Sequence, residues 1–558
     1  MITFFHPFGA ALPAALHAVV RRALPLIVLS FTLPVGAADY LWYGSDDVLG
    51  GDNTWDATST YWLTGGGRSL WPNAAATTAR AVFGGDLSAP FTVVVASGTT
   101  INANALWFQT NYTLNRGNSS SRLNFVGATP TITVDPGITV TTSVAINGTN
   151  VTLTGGGTWQ LGASNRLNDS LGLLVDGGST FSLNGRTETV GTVTLIAGSL
   201  VGGGTLTTTG SFDLLSGTVS ATLAGANHAL NKYGSGTVVL NSSSTYTGAT
   251  TVAEGTLQLG AADRIANTSA LNVTGGTFSL GSYSETVGAV TLASGSITGT
   301  TGTLTGDSYA LQSGFVSARL GGTDHVLTKS TAGIVTLSGV NTYTGATTVG
   351  GGSLVLANTG SIATNSAVAV NAGATFAGSG TVTNRAPVTV NSGGHLSPGS
   401  MDPLSGVSSI GTLTTGAQTW NGGGAYDWQI GALTGTSGTN WDLVSLSGLT
   451  INATSTNKFI LNVGNLGVTL PATGSYSWAI ASLSSGTWGT IANLNSRFQV
   501  NLPTAWAADA YRFSITQDTA NLYLTMAVPE PRTYALLLGV ATLGFIGFRR
   551  WRQAHAAV

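Results

Sequence analysis

A long stretch of this chain is repeated without a gap, and nothing else in the sequence constrains the fold as strongly. Residues 180–259 align with residues 277–356 at a constant offset of 97. Thr180-Phe181-Ser182-Leu183 recurs as Thr277-Phe278-Ser279-Leu280, and Glu188-Thr189-Val190-Gly191 as Glu285-Thr286-Val287-Gly288. Thr245-Tyr246-Thr247-Gly248-Ala249-Thr250-Thr251-Val252 recurs as Thr342-Tyr343-Thr344-Gly345-Ala346-Thr347-Thr348-Val349. About half of the aligned positions are identical, and a partial third copy begins near Ser361 and keeps Ala374-Thr375-Phe376. Self-similarity at this scale means supersecondary units that bury their apolar faces against their neighbours.

Within each copy, apolar and polar residues alternate over short runs separated by Gly, Asn or Ser, as in Thr237-Val238-Val239-Leu240, Thr256-Leu257-Gln258-Leu259 and Val388-Thr389-Val390. Period-two alternation between turn signals predicts short, half-buried strands. Many short strands suit a sandwich, a propeller or a solenoid. The ungapped repeat and the Gly/Asn turns favour the solenoid, in which each coil covers the next.

Composition agrees. The 558 residues include 78 glycines, and only 8 % are charged, against about 25 % in an average globular protein. Hydrophobic residues make up 42 %, enough for a core and too many for a disordered chain. Cysteine is absent and the net charge is −2. That excludes a disulfide framework, thiolate catalysis and Cys-ligated zinc. It also leaves no basic footprint for nucleic acid. Chance matches to Gly-rich phosphate loops carry no information among so many glycines.

A second set of residues carries a family resemblance. Gly234-Ser235-Gly236-Thr237-Val238-Val239-Leu240, then Tyr246 to Val252, then Gly255-Thr256-Leu257 resemble the autotransporter-associated β-strand repeat. The pattern recurs with Gly333, Leu337, Tyr343 to Val349 and Leu354, and Gly394-His395-Leu396-Ser397-Pro398-Gly399 resembles the segment that closes such arrays. The resemblance implies an all-β, right-handed parallel β-helix stacked at about 4.8 Å per coil, a rod somewhat under about 100 Å long at the family's coil length of about twenty residues. True autotransporter passengers precede a large membrane β-barrel, for which too little chain remains before Val528.

Both ends read as addresses. Arg21 and Arg22 precede an apolar run, Ala23 to Val35, that ends in small residues through Ala38. This is the pattern of a secretory signal handled by the Sec translocon, with cleavage expected between Ala37 and Ala38. At the other end, Val528-Pro529-Glu530-Pro531 is followed by an apolar stretch, 535–548, and then by Arg549, Arg550 and Arg552. Bottom-up this is a Pro-bounded linker, a hydrophobic helix and a basic cytoplasmic stop. Its order and spacing resemble the PEP-CTERM sorting signal of Gram-negative bacteria. The resemblance implies recognition of Pro529, Glu530 and Pro531 by an exosortase-type membrane transpeptidase. It further implies transient anchoring in the inner membrane, delivery to the cell surface or matrix, and an exopolysaccharide setting.

The expected organisation is therefore a signal peptide (1–37), an N-terminal capping segment (38–85), a solenoid (86–430), a β-rich C-terminal cap (431–527) and a sorting signal (528–552). Trp42, Tyr43, Trp55, Tyr61, Trp62 and Trp71 in the first cap, and Trp420, Trp428, Trp441, Trp478, Trp488 and Trp506 near the second, read as cap core. An exposed row of the N-terminal aromatics would instead mark a carbohydrate-binding protein. Asp46, Asp47, Asp52 and Asp56 do not fit a known calcium loop and read as solvated turns. His228 and His325, each near a lysine (Lys232, Lys329), stand too far apart to share a metal. A β-helix polysaccharide-degrading enzyme would need carboxylates under about 10 Å apart, and the copies share only Glu188/Glu285. No catalytic residue, cofactor or metal is expected. The function read from the sequence is an exported structural or adhesive surface rod.

Overall fold

The computed structural model describes residues 38–43, 49–85, 90–357, 359–363, 365–382, 386–399, 409–471, 474–507, 511–528, 543, 545–546 and 548–552. It is a parallel β-solenoid. Each coil places one short strand on a first face and one on a second, and many coils add a third. The first face is a 21-stranded sheet. Nineteen of these strands, from Ala38–Trp42 to Gly448–Ile451, stack in parallel. The other two, Trp62–Thr64 and Gly67–Ser69, are an antiparallel hairpin at the start. Among the described residues the rod's helical pieces are short 3-10 turns at Asn73–Thr78, Leu494–Arg497 and Thr504–Trp506.

The alternation in the sequence maps directly onto inside and outside. In Thr131–Val134, Thr139–Thr142 and Thr158–Leu161, burial alternates residue by residue. Ile132, Val134, Val140, Trp159 and Leu161 point inward and the intervening threonines outward. Strand partners fix the register. Val193 lies opposite Phe212, which continues through Leu230, Thr250 and Leu271 to Val290. The 97-residue offset is therefore five coils, and a duplicated block can keep its register only because it holds a whole number of them.

The ends are closed. Trp42, Trp55, Trp62 and Trp71 are buried and pack edge-to-face or tilted with Phe83, at centroid distances from 4.8 to 6.1 Å. They plug the first coil. Parallel stacking runs past residue 430, through Ala425–Ile430, Phe459–Asn465 and Phe498–Asn501. Beyond it, Ser475–Leu483 pairs antiparallel with Asn521–Ala527, which pairs with Arg512–Gln517. The outer edge of that last strand is partly covered, because Asn495 Oδ1 accepts the Ile515 N–H at 2.9 Å. Sheet edges left open invite pairing with other chains, and both ends here are managed.

Candidate functional site: the outward rows and the buried charges

The third face is broken, and the repeat motif explains how. It has strands at Thr187–Val190, Thr205–Thr208 and Thr222–Ala224, and again at Glu285–Val287, Thr303–Gly306 and Arg319–Gly321. Between these groups a side chain fills the interior. Tyr246 is fully buried. Its hydroxyl meets Thr250 Oγ1 at 2.7 Å, which meets Ser269 Oγ at 3.2 Å, which donates to the Gly248 carbonyl at 2.6 Å. Tyr343, Thr347 and Ser366 repeat the chain at 2.8 Å each. The glycine of the motif is required, because a Cβ on Gly248 or Gly345 would collide with the backbone of His228 or His325 one coil earlier.

Two charges recur inside. Glu188 and Glu285 are both 1 % exposed. The Glu188 carboxylate accepts the N–H groups of Arg166 and Leu167 at 2.7 and 3.2 Å, and Glu285 those of Arg264 and Ile265 at 2.8 and 3.3 Å. Both lie beside a gap in the third face, where the side chain replaces a missing strand carbonyl. Burial pushes each carboxyl up to about 7 against the opposing pull of these N–H bonds. Lys232 and Lys329 are fully buried. The Lys232 ammonium donates to the carbonyls of Tyr233 and Gly234 at 2.6 Å and of Glu254 at 3.1 Å. Lys329 donates to Thr331 and, at 2.8 Å, to Gly351. Burial lowers both, Lys232 to about 8. These roles are structural, and sequence reasoning missed them. The available signal was recurrence of the same charges in a chain with so few.

Outside, register turns the sequence into rows. Thr194, Asp213, Asn231, Thr251, Asn272 and Thr291 stand opposite one another on successive coils of the first face, all half-exposed. Near the C-terminal end, Asn371, Asn391, Asn421 and Asn452 form a side-chain amide ladder with steps of 2.8, 2.9 and 2.9 Å. A second ladder runs Asp427, Asn462, Asn501 at 2.7 and 2.8 Å. It begins with His395 Nδ1 against Asp427 at 2.9 Å, a bond that raises the imidazole above its ordinary value. These rows offer hydroxyls and amides and little net charge.

Of the N-terminal aromatics, Trp42, Trp55, Trp62 and Trp71 are cap core, while Tyr43 and Tyr61 are half-buried and Tyr43 lies under the Arg68 guanidinium at 5.5 Å, so they form no exposed row. Asp56 is spent on the N–H groups and hydroxyls of Thr58 and Ser59, and Asp52 on the Thr92 N–H. Asp46 and Asp47 lie outside the described residues. His228 and His325 are five coils, about 24 Å, apart, as are Glu188 and Glu285. The described residues hold no group of three or more His, Asp or Glu placed to bind a metal.

Of the expected processing residues, Ala38 opens the first strand, opposite Ala79. Next to it, Asp39 grips Arg80 through two bonds of 2.7 and 2.8 Å. Ala37, Pro529, Glu530 and Pro531 lie outside the described residues. Arg549, Arg550 and Arg552 are exposed and helical. No helix among the described residues is long and apolar enough to cross a membrane; most of 535–548 lies outside them.

Residues 230–259 and 327–356 match the passenger-associated-transport-repeat family. Each segment starts at the leucine two residues before a buried lysine and ends with the second-face strand of the next coil. The chain is also 30 % identical over 224 residues to the adhesin BmaC autotransporter of Brucella suis biovar 1 (strain 1330). That alignment covers 38 % of this chain and 6 % of the adhesin. The repeat reading rests on these two matches together with the fold.

Proposed function

We propose that this chain is an exported structural or adhesive rod of the Gram-negative cell surface or extracellular matrix. The observation that carries the reading is the pair of long strand faces with neutral hydroxyl and amide rows. Such a surface makes many weak hydrogen bonds to hydrated partners and, having little charge, loses little of them to salt. Similarity to an adhesin autotransporter supports the same role. The first strand starts at Ala38, and Asp39 is pinned to Arg80, so a chain cut after Ala37 by the export machinery would have its new end held in the sheet.

At the other end the last strand, Asn521–Ala527, ends immediately before Val528-Pro529-Glu530-Pro531. In this proposal the tail holds the protein transiently at the inner membrane until an exosortase-type transpeptidase acts at Pro529, Glu530 and Pro531, with Arg549, Arg550 and Arg552 on the cytoplasmic side. Intact mass and cell fractionation, for the wild type and a variant with alanine at 529–531, test this. The expected result is a wild type lacking residues 535–552 at the surface or in the matrix, and a variant retained whole at the inner membrane. A wild type that keeps its tail at the inner membrane would overturn the sorting step and leave a periplasmic rod.

A further inference from the structure

At the corner between the first and second faces, glycines stack coil upon coil, and in the second copy they floor a groove of about 550 Å³. Gly295, Gly314 and Gly333 form the floor, with Ser313, Ala332, Ile334 and Thr336 beside it. The floor stays bare for a physical reason. A Cβ on Gly314 would collide with the Gly295 carbonyl, and one on Gly295 with the Gly276 carbonyl. One wall is the ring of Phe315, 39 % exposed.

Phe315 has no structural task that the fold requires. It stands on the outer row of the second face, opposite Ser296 on one side and Thr336 on the other. The corresponding residue five coils earlier is Thr218, on the same row opposite Ser199 and Val239. The same coil is therefore built with a hydroxyl residue there. Among the described residues, Phe315 is also the one aromatic exposed on a strand face of the rod.

We propose that this groove is a docking site for a neutral polysaccharide, one sugar ring stacking on Phe315 and its hydroxyls bonding to those of Ser313 and Thr336. No charged side chain lines the groove, so an ionic partner gains nothing there. An apolar peptide anchor needs a deep apolar pocket, and an open groove with a backbone floor does not supply one, although Ala332 and Ile334 border it. A sugar ring has an apolar C–H face and polar edges, and an aromatic wall beside hydroxyls matches both. The hydroxyl row beyond Phe315 lets a linear polymer continue along the rod. The site rests on the reading of this chain as a surface rod in a hydrated matrix.

The test is affinity electrophoresis of the mature protein in gels containing dextran, xyloglucan or galactomannan, comparing wild type with Phe315→Thr, which restores the first copy's residue. Retardation by at least one of these glycans, weakened roughly tenfold in Phe315→Thr at an unchanged melting temperature, is the expected result. Thr218→Phe should add a second, weaker site. No retardation in any of the three gels, or retardation equal in wild type and Phe315→Thr, would overturn the proposal. So would a photo-crosslinker at position 315 that captures a protein and no glycan on intact cells. Surface location of Phe315→Thr separates this proposal from the broader one: a variant that reaches the surface but no longer binds leaves the rod reading standing. A protein that binds in gels but never reaches the surface overturns the rod reading alone.

Discussion

At the scale of single residues, glycine does work that the abundance of glycine conceals. Gly198, Gly217, Gly255, Gly295, Gly314 and Gly352 all have positive φ and lie at or just before the start of a second-face strand. On each of them a Cβ would run into the backbone of the coil before it. Two penalties therefore add, the left-handed conformation and the overlap, which must push two coils apart. Gly314→Ala is expected to cost about 2–4 kcal/mol, read as a lower denaturation midpoint. Gly448→Ala is the control. Gly448 has no positive φ, and its nearest neighbour to an added Cβ is Ala417 Cβ at 3.7 Å, so that change should be close to neutral. Composition alone showed the glycines as turn formers. Their vertical alignment became visible only with the register, because corner glycines and exposed-turn glycines look alike in sequence.

At the scale of elements, buried carboxyls set the pH response, two of them beside the break in the third face. The Glu188 carboxylate faces Arg166, and Glu285 faces Arg264 and Asp263, but burial outweighs the cations in both. Asp442, fully buried and holding the N–H groups of Gly411 and Gln429 at 2.9 Å, is pushed up to about 8 by the same cause. A carboxyl whose folded value lies above its unfolded one keeps its proton longer in the folded state. Its contribution to stability is complete below about pH 4.5, falls as pH rises towards 7 or 8, and is flat above. Lys232, lowered to about 8, acts in the opposite sense only between about pH 8 and 10.5. Asp518, held at about 2 by the N–H groups of Ala520 and Asn521 and the Tyr523 hydroxyl, matters only in stronger acid. The melting temperature should therefore fall as pH rises from 5 to 8, and Glu188→Gln with Glu285→Gln should flatten that slope. A melting temperature that rises over this range would contradict the assignment. The strands themselves were legible, since alternation such as Thr-Ile-Thr-Val predicts them without a structure. The break was not, because Tyr246 and Glu188 replace a strand through contacts with neighbouring coils that no local pattern encodes.

At the scale of the whole molecule, length follows from stacking. Nineteen parallel strands on the first face, spaced about 4.8 Å apart, give a stack of about 85 Å along that face. The solenoid and its duplicated block were readable in advance, because ungapped repetition and alternation both survive in the sequence. That the first cap contributes strands to the first face, and that parallel stacking continues beyond residue 430, depends on pairings that aromatic-rich segments do not announce. If five coils form one interchangeable block, removing residues 193–289 joins Thr192 to Val290 and should leave every strand in register. Small-angle scattering of the mature protein and of this deletion tests the architecture on which the functional reading stands. The full rod should have a radius of gyration of about 30 Å, against about 23 Å for a compact globule of that many residues. The deletion variant should keep its cross-section and be shorter by about 24 Å. A wild type near the globular value, or a deletion that unfolds or keeps the full length, would contradict the stacked-coil architecture.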